Sequence, residues 1–330
     1  MRLPAMPYES QRRLIEIMRV IDEANKPIGA KAISDALGNR GYDIGERAVR
    51  YNLKILDDFG FTRKHGYFGR VITQLGMREL GDALVGGRIG FMNARIEECM
   101  YRITLDHSKM TQDVITNASL IDKSDCEETL EILSQVSSAG YSISRRVLIV
   151  DEEDRIASVE VPAGCLAILT VCSITIDGML LKRGIPVNTR FAGVIKVQGG
   201  DPQVFTDLIA YAGSSLDPMK VFMARRMTRI NEAVKEGTGR VLANVREIPI
   251  SAVEDAFKLL KGAEVEGISG LIKIGRPSEP ILGCPVESCK VGIALYAGVN
   301  GAVAVEESGI WIRTTPISEI VNYGWMTEMA

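Results

Sequence analysis

The sequence predicts a multi-domain α/β (α+β) protein, with an N-terminal winged helix-turn-helix domain followed by an internally duplicated, mixed α/β domain. Three observations support this fold class. The first 70 or so residues read as three amphipathic helices and a basic hairpin, the remainder mixes helical patterns with β-branched strands, and a Gly-x-Pro-Val segment occurs twice. At 330 residues the chain has room for two or three domains.

The first two helices are predicted from apolar residues at helical spacing. In SQRRLIEIMRVIDEA these residues are Leu14, Ile17, Met18 and Ile21. Ser10 is the expected N-cap of this helix. A shorter helix follows the break at Pro27, within AKAISDALGNRGYDIG, and glycines close it with a tight turn.

The third helix, ERAVRYNLKILDDFGF, has two different faces. One face turns Val49, Leu53 and Leu56 toward a core. The opposite face carries three cations and an aromatic ring: Arg47, Arg50, Tyr51 and Lys54. Asp43 and Glu46 have the spacing of a capping box, which places the start of the helix just before Arg47.

The hairpin FTRKHGYFGRVIT follows this helix, with two short strands joined at His65 and Gly66. Its basic residues are Arg63, Lys64, His65 and Arg70. This is the element order of a winged helix-turn-helix, whose third helix reads the major groove while the wing contacts phosphates. On a lone helix the basic stripe would be an ordinary solvated face. The hairpin beside it favours double-stranded DNA as the partner.

The charge distribution agrees with this interpretation. The first 88 residues carry 15 Lys and Arg against 11 Asp and Glu, whereas the rest carries 24 against 31. A cationic N-terminal part is what binding to phosphates requires. Its last helix, QLGMRELGDALVGGR, ends in the pair Gly86 and Gly87, which predicts a linker. We therefore predict a DNA-binding domain at residues 1–85 and a ligand-sensing domain at residues 86–330.

The second domain alternates strands and helices. The predicted strands are CMYRITL, RRVLIVD, IASVEVP and LAILTVCSITI. The predicted helices are DCEETLEILSQVSS, DPQVFTDLIAYA and ISAVEDAFKLLKGA, the last two with Asp201 and Ser251 as N-caps.

A repeat is the most informative feature of this domain. GIPVNTRFAGV (184–194) aligns without gaps on GCPVESCKVGI (283–293), at an offset of 99 residues, with a predicted strand before each, SITIDG or LIKIGR. The repeat indicates an internal duplication, whose two modules would pack about a pseudo-two-fold axis with a small-ligand cleft on that axis. The alternative is one kind of turn used twice.

Motifs for metal binding, catalysis and membrane insertion are missing. The six cysteines form no Cys-x-x-Cys pair, and His65 and His107 are the only histidines, so neither a metal site nor a cofactor is expected. We find no phosphate-binding loop, dinucleotide fingerprint or nucleophile elbow. The longest apolar run is too short to span a bilayer, and the N-terminus does not resemble a signal peptide. We expect a cytoplasmic protein that is not an enzyme.

Taken together, ERAVRYNLKILDDFGF, KHGYFGRVIT and the two Gly-x-Pro-Val segments resemble the NrpR family, archaeal nitrogen-regulatory repressors. The resemblance covers nearly the whole chain. It implies a repressor that binds palindromic operators as a dimer and is released by 2-oxoglutarate. Some members carry two tandem regulatory domains, whereas this chain has room for one. This difference leaves open whether a second regulatory polypeptide is needed.

A dicarboxylate effector needs cations, hydroxyls or backbone N–H groups. The repeated turns supply the candidate effector-binding residues: Gly184, Thr189, Arg190, Gly283, Ser288 and Cys289. Arg183 and Arg276 are further cations nearby, although any one of these arginines can equally be solvated surface. Two rival functions stay open at this point, namely a metabolic enzyme with an autoregulatory DNA-binding arm and a protein-interaction adaptor.

Overall fold

The protein is described from a computed structural model, which describes residues 8–42, 44–77, 80, 91–104, 113–152, 161–212, 214 and 216–329. The chain divides into two compact units, Met1–Ile89 and Gly90–Ala330. The predicted linker at Gly86 and Gly87 lies outside the described residues, as do His107, most of the strand predicted at IASVEVP and the end of the helix predicted before the linker.

The first unit has three helices followed by a hairpin. Its elements are α1 (Tyr8–Glu23), α2 (Ala30–Asn39), α3 (Glu46–Asp58), β1 (Thr62–Lys64) and β2 (Arg70–Ile72). The apolar faces predicted for the three helices meet in one core, where Leu14, Ile33 and Leu53 are almost completely buried. An isolated bridge between Ile28 and Arg70 joins the hairpin to the segment between α1 and α2.

Two predicted helix caps in this unit are wrong. Ser10 is not an N-cap, because α1 already begins at Tyr8. The N-cap of α3 is Gly45, which has no side chain to cap the helix. Glu46 is then the first helical residue and cannot reach back as a capping box requires. Its carboxylate instead accepts a hydrogen bond from Arg50 at 2.6 Å, and Asp43 lies outside the described residues.

The second unit begins with α4 (Phe91–Arg102) and then passes twice through one order of elements. The first pass is β3 (Asp113–Asp122), α5 (Cys126–Ser138), β4 (Arg146–Val150), β5 (Cys165–Val171), α6 (Ile174–Lys182) and β6 (Asn188–Gln198). The second pass is β8 (Gly239–Pro249), α9 (Val253–Val265), β9 (Leu271–Ile274), β10 (Lys290–Tyr296), α10 (Asn300–Glu307) and β11 (Ile312–Asn322). Between the passes lie β7 (Asp201–Ala210), α7 (Pro218–Ala224) and α8 (Ile230–Glu236), and β12 (Thr327–Glu328) follows the second.

The two passes form two antiparallel sheets and exchange one strand. The sheet orders are β11-β3-β5-β4-β12 and β7-β6-β8-β10-β9. Strand β6 belongs to the first pass but pairs with β8, and β11 belongs to the second but pairs with β3. The two halves of the unit are therefore interlocked, and the duplication is a property of the fold.

Matching hydrogen bonds show which residues correspond. The Thr175 hydroxyl at the start of α6 bonds both the N–H and the carbonyl of Ile115 on β3. The Asn300 amide at the start of α10 makes the same pair of bonds to Leu242 on β8. The offset between corresponding residues is thus about 125. The 99-residue alignment predicted from the sequence is wrong, because it matches the loop before β6 with the loop before β10. Strands β6 and β10 do not occupy equivalent places in the two passes. The true counterpart of Gly184 is Gly309, since each ends a helix with a positive φ, 81° and 89°.

Three predictions of secondary structure in this unit are also wrong. Asp201 starts strand β7 and not a helix, because the Gly199-Gly200 turn, with φ of 65° and 84°, reverses the chain so that β7 pairs with β6. SITIDG forms the start of α6. CMYRITL starts within α4, whose buried Met92, Ile96 and Met100 have helical spacing. Helix α9 is present as predicted, but its N-cap is Ala252 and not Ser251.

Candidate nucleic-acid interface and ligand site

The predicted reading face of α3 is exposed along its length. Arg47, Arg50, Tyr51 and Lys54 all lie on the solvent side, opposite the buried Val49, Leu53 and Leu56. Arg50 is held by Glu46 one turn earlier, which orients its guanidinium along the helix. Tyr51 is 69% exposed, which is unusual for an aromatic ring without a partner surface. This face is able to present three cationic side chains and one aromatic ring, spread over two helical turns, to a DNA groove.

Asp57, at the end of α3, ties the hairpin to this helix. Its carboxylate accepts hydrogen bonds from the Thr62 hydroxyl at 2.6 Å and from Arg70 Nε at 2.8 Å, so one residue holds both strands. We did not identify Asp57 from the sequence. The helix dipole makes an acidic side chain at a helix C-terminus unfavourable, and this unfavourable position was the only hint of a special role for Asp57 in the sequence.

The wing carries the predicted basic residues Arg63, Lys64 and His65, all exposed. Sequence reasoning missed Tyr67 and Phe68 at its tip, which are fully and 77% exposed. The tip is held in place, because Gly69 has φ of 120° and a Cβ there would lie 2.2 Å from the carbonyl oxygen of Ile28. Two exposed aromatic rings flanked by basic residues are suited to contact with nucleic acid.

The candidate effector residues in the first repeated turn do not share one environment. Gly184 is exposed and ends α6, donating its N–H to Leu181. Thr189 is buried and donates to Asp177 Oδ2 at 2.6 Å. Arg190 is half-buried and pairs with Glu287 at 2.5 Å.

The second repeated turn contains Glu287 and lies against β7, an edge strand of the second sheet. Gly283 packs on Val204 of β7, and Ser288 and Cys289 are exposed. Glu287 also donates its N–H to the buried Glu247, whose other oxygen lies 3.5 Å from Arg190 Nε. The fold therefore brings Arg190 to the second turn, where glutamates already neutralise it, and leaves Thr189 inside the unit.

A small pocket lies where the two halves meet. Its walls come in corresponding pairs, because Asn117 on β3 matches Asn244 on β8, and the ends of β5 and β10 contribute Cys172–Ile174 and Ala297–Val299. Tyr211, Asp217 and Met219 close one side, and Pro316 and Ile317 of β11 close another. None of the effector-binding residues proposed from the sequence lines this pocket, so the predicted ligand cleft stays a prediction.

Burial raises the pKa values of two side chains that line this pocket. It raises the pKa of the Cys172 thiol to about 12, and the charge of Arg246 is close enough to oppose that rise. It also raises the pKa of Asp217, although the Met219 N–H bonds that carboxyl. Cys172 is therefore a neutral wall residue and not a nucleophile.

A larger cleft of about 590 Å³ lies beside α8 and α10. The Glu307 carboxylate already occupies several donors in this cleft, since it accepts from Thr228 and from the N–H groups of Ile230 and Asn231. Across the residues the structure describes, no group of three His, Cys, Asp or Glu side chains could hold a metal ion. None of the described helices is long and apolar enough to cross a membrane.

Comparison with known proteins gives independent evidence on the family of this chain. The profile of the NrpR regulatory domains NRD1 and 2 matches residues 89–328, and that of the ribonuclease R winged-helix domain matches residues 15–80. The global nitrogen regulator NrpRI of Methanosarcina mazei is 50% identical over 324 residues, or 98% of this chain and 100% of the relative. The global nitrogen regulator NrpR of Methanocaldococcus jannaschii is 34% identical over 311 residues, or 94% of this chain and 54% of the relative. A crystal structure of a nitrogen repressor-like protein from Methanococcus jannaschii aligns with a TM-score of 0.61 at 27% identity, over 72% of this chain and 97% of that one.

Proposed function

Because the chain belongs to the NrpR family of nitrogen regulators, we propose that it is a cytoplasmic repressor of nitrogen-assimilation genes that binds palindromic operator DNA and is released by 2-oxoglutarate. The family consists of transcription regulators and not enzymes, so the enzyme alternative is set aside. The observation that carries the proposal is the exposed basic face of α3 beside a wing fixed by Asp57.

The proposed reading mode assigns different roles to the helix and the wing. Arg50 on α3 contacts base edges, and Lys64 on the wing contacts phosphates. Arg50→Ala should cost about 1–3 kcal/mol on operator DNA and reduce sequence preference. Lys64→Ala should weaken binding to all duplexes alike and reduce its salt dependence.

Fluorescence anisotropy with operator and random duplexes at several salt concentrations tests these roles. Equal losses on both duplexes for Arg50→Ala would exclude base reading by that residue. If the unmutated chain prefers no duplex over random DNA, the adaptor alternative replaces the repressor.

A homodimer is the proposed binding form. One winged helix makes few contacts, and two copies spaced by one turn of DNA are the usual route to tight operator binding. We place the dimer contacts in the regulatory unit, so both the full chain and a Gly90–Ala330 fragment should sediment as dimers at micromolar concentration. A second regulatory polypeptide is a further proposed partner, to be tested by co-purification.

The proposed effector acts by linkage. A ligand releases DNA only to the extent that it binds the DNA-free form more tightly, and DNA must weaken the ligand by the same factor. Operator affinity with and without millimolar 2-oxoglutarate measures this coupling. An unchanged affinity excludes 2-oxoglutarate as the effector but leaves DNA binding as proposed.

A further inference from the structure

Two aromatic rings lie exposed at the tip of the wing, on the loop between β1 and β2. Tyr67 is fully exposed and Phe68 is 77% exposed. Neither ring belongs to the apolar core of the first unit, and Phe68 leans on the imidazole of His65, with ring centroids 6.4 Å apart. Adjacent large rings that the fold leaves in water mark a surface that a partner covers.

The loop that carries these rings is held in one shape. The His65 N–H donates to the Gly69 carbonyl at 2.8 Å, and the Phe68 N–H donates to the His65 carbonyl at 3.1 Å. Ile28 and Arg70 exchange both of their backbone hydrogen bonds, at 3.0 and 3.1 Å, so the start of β2 is fastened to the rest of the unit. Rings on a loop that is already ordered lose little conformational freedom when they bind.

The surroundings of the rings are cationic. Residues 59–78 contain no Asp or Glu, and the exposed Arg63, Lys64 and His65 directly precede the two rings along the wing. Such a surface attracts the phosphate backbone of a nucleic acid. The rings themselves carry no charge and suit the sugars and bases that lie between two phosphate strands.

The wing is long enough to place the rings beyond the groove that α3 enters. Each strand has three paired residues, and at about 3.3 Å per residue this gives roughly 10 Å before the loop. Asp57 ties the base of this hairpin to the end of α3. When α3 lies in the major groove, the basic strands therefore reach the neighbouring phosphates, and the tip reaches the minor groove on their far side.

We propose that Tyr67 and Phe68 enter the minor groove beside the half-site read by α3, where they act as an apolar wedge that opens a base step and bends the DNA. This inference rests on the proposed function, because it adds a second groove and a bend to the DNA complex of that function. Apolar side chains inserted between base pairs bend a duplex by about 20–90°. The wedge needs no hydrogen bond to a base, and its sequence preference comes from how easily the base step deforms.

Energy transfer between dyes at the two ends of a duplex tests the wedge with the full chain. The probes are random-sequence duplexes and the duplexes that the unmutated chain enriches from a random pool. Tyr67→Ala combined with Phe68→Ala should abolish the bend and weaken binding by about 10-fold or more. Both rings are exposed and outside the core, so this variant should keep the thermal unfolding curve of the unmutated chain. An unchanged bend in this variant overturns the wedge, as does a duplex that stays straight on the unmutated chain.

Tyr67→Phe combined with Phe68→Leu is the matched control, because it keeps two large apolar side chains at the same positions. It should bind and bend DNA within about twofold of the unmutated chain, since leucine also serves as a wedge. A loss as large as that of the alanine variant would assign the rings to hydrogen bonding or to stacking on an extruded base, and would overturn the wedge.

The salt dependence of binding separates the rings from the cations beside them. Neither ring variant should change it, because the rings are uncharged, whereas Lys64→Ala should reduce it. A reduced salt dependence in the alanine variant would assign its loss of affinity to phosphate contacts and overturn the wedge.

Netropsin, a small molecule that occupies the minor groove of A·T-rich DNA, tells which groove the rings enter. It should compete with the unmutated chain for an A·T-rich duplex and compete less with the alanine variant. Equal competition with both proteins would place the rings outside the minor groove and overturn the assignment.

The outcomes also separate the wedge from the proposed function. If random duplexes are bound and bent as strongly as selected ones, and the bend needs the rings, the wedge stands and the sequence-specific repressor fails. If the chain prefers selected duplexes and 2-oxoglutarate releases them, but the alanine variant bends them equally, the proposed function stands and the wedge fails.

Discussion

The two sheets of the regulatory unit share a backbone plan but differ in charge at one position. In the sheet that contains β6 and β8, Arg246 forms a buried charged network with Asp177 and Thr189. At the same register in the sheet that contains β3 and β11, Ser119 and Thr314 are joined by one neutral hydrogen bond. Both solutions satisfy the strand pairing, so the fold does not require the charges. Four predictions test this comparison.

The largest expected effect comes from breaking the charged network of Arg246 and Asp177. Arg246→Met leaves Asp177 buried and unpaired, and should lower the free energy of unfolding by about 3–5 kcal/mol. Ser119→Ala should cost about 1 kcal/mol, because it removes one neutral hydrogen bond. Both tryptophans, Trp311 and Trp325, lie in this unit, so fluorescence during denaturation reports on it alone.

Adding Asp177→Asn to Arg246→Met is the control for this prediction. The second change removes the unpaired charge and should restore much of the stability. Equal losses for Arg246→Met and Ser119→Ala would show that the two sheets do not differ in buried charge as described.

The second prediction concerns the bonds that join a helix to a strand in each half. Asn300 makes three buried hydrogen bonds, to both backbone groups of Leu242 and to the Tyr141 carbonyl. Thr175 makes two, both to Ile115. Asn300→Ala should cost about 2–4 kcal/mol and Thr175→Val about 1–2 kcal/mol in the same denaturation assay. The reverse order would contradict the proposed correspondence.

The third prediction is of equal effects at corresponding glycines. Gly184 and Gly309 have φ of 81° and 89°, and an added Cβ would meet no described atom within 4 Å at either position. The cost of alanine is then backbone strain alone, about 1–2 kcal/mol at each site. Thermal unfolding of Gly184→Ala and Gly309→Ala measures it. A difference above about 1 kcal/mol would mean that the two turns are not equivalent.

The smallest expected effect concerns Asp217, in the pocket wall. Burial raises the pKa of this carboxyl above the ordinary 3.8. The folded state therefore holds its proton more tightly than the unfolded state, and this stability is lost as pH rises from 3.8 through the raised pKa. Asp217→Asn, which can still cap α7, should remove this loss. Denaturation at a series of pH values checks it, and matching pH profiles for the two proteins would rule the effect out.

The regions predicted well are those in which local pattern decides structure. The stripe of α3 was predicted because a helix places residues three and four apart on one face, whatever it packs against. The wing was predicted because two short strands and a glycine turn are close in sequence. The helices α5 and α9 were predicted for the same reason, although the N-cap predicted for α9, Ser251, was wrong.

The failures share a different cause. The segment from Asp201 was predicted as a helix because its apolar residues fit that spacing, but the Gly199-Gly200 turn and the pairing with β6 make it a strand. The repeat was detected in the sequence but at the wrong offset, since an identical turn motif resembles a duplication more closely than the diverged helices do. Asp57, Tyr67 and Phe68 carry no motif of their own.

The sequence by itself determined that the chain has a winged helix with an exposed basic face and a duplicated α/β domain, because periodicity and turn residues act over a few positions. Only the tertiary structure decided that β6 and β11 exchange sheets, that Asn117 and Asn244 line one pocket, and that Arg246 lies against Asp177, 69 residues away. Contacts between residues so far apart depend on how the strands pair, and strand pairing is set by packing of the whole unit rather than by any local pattern.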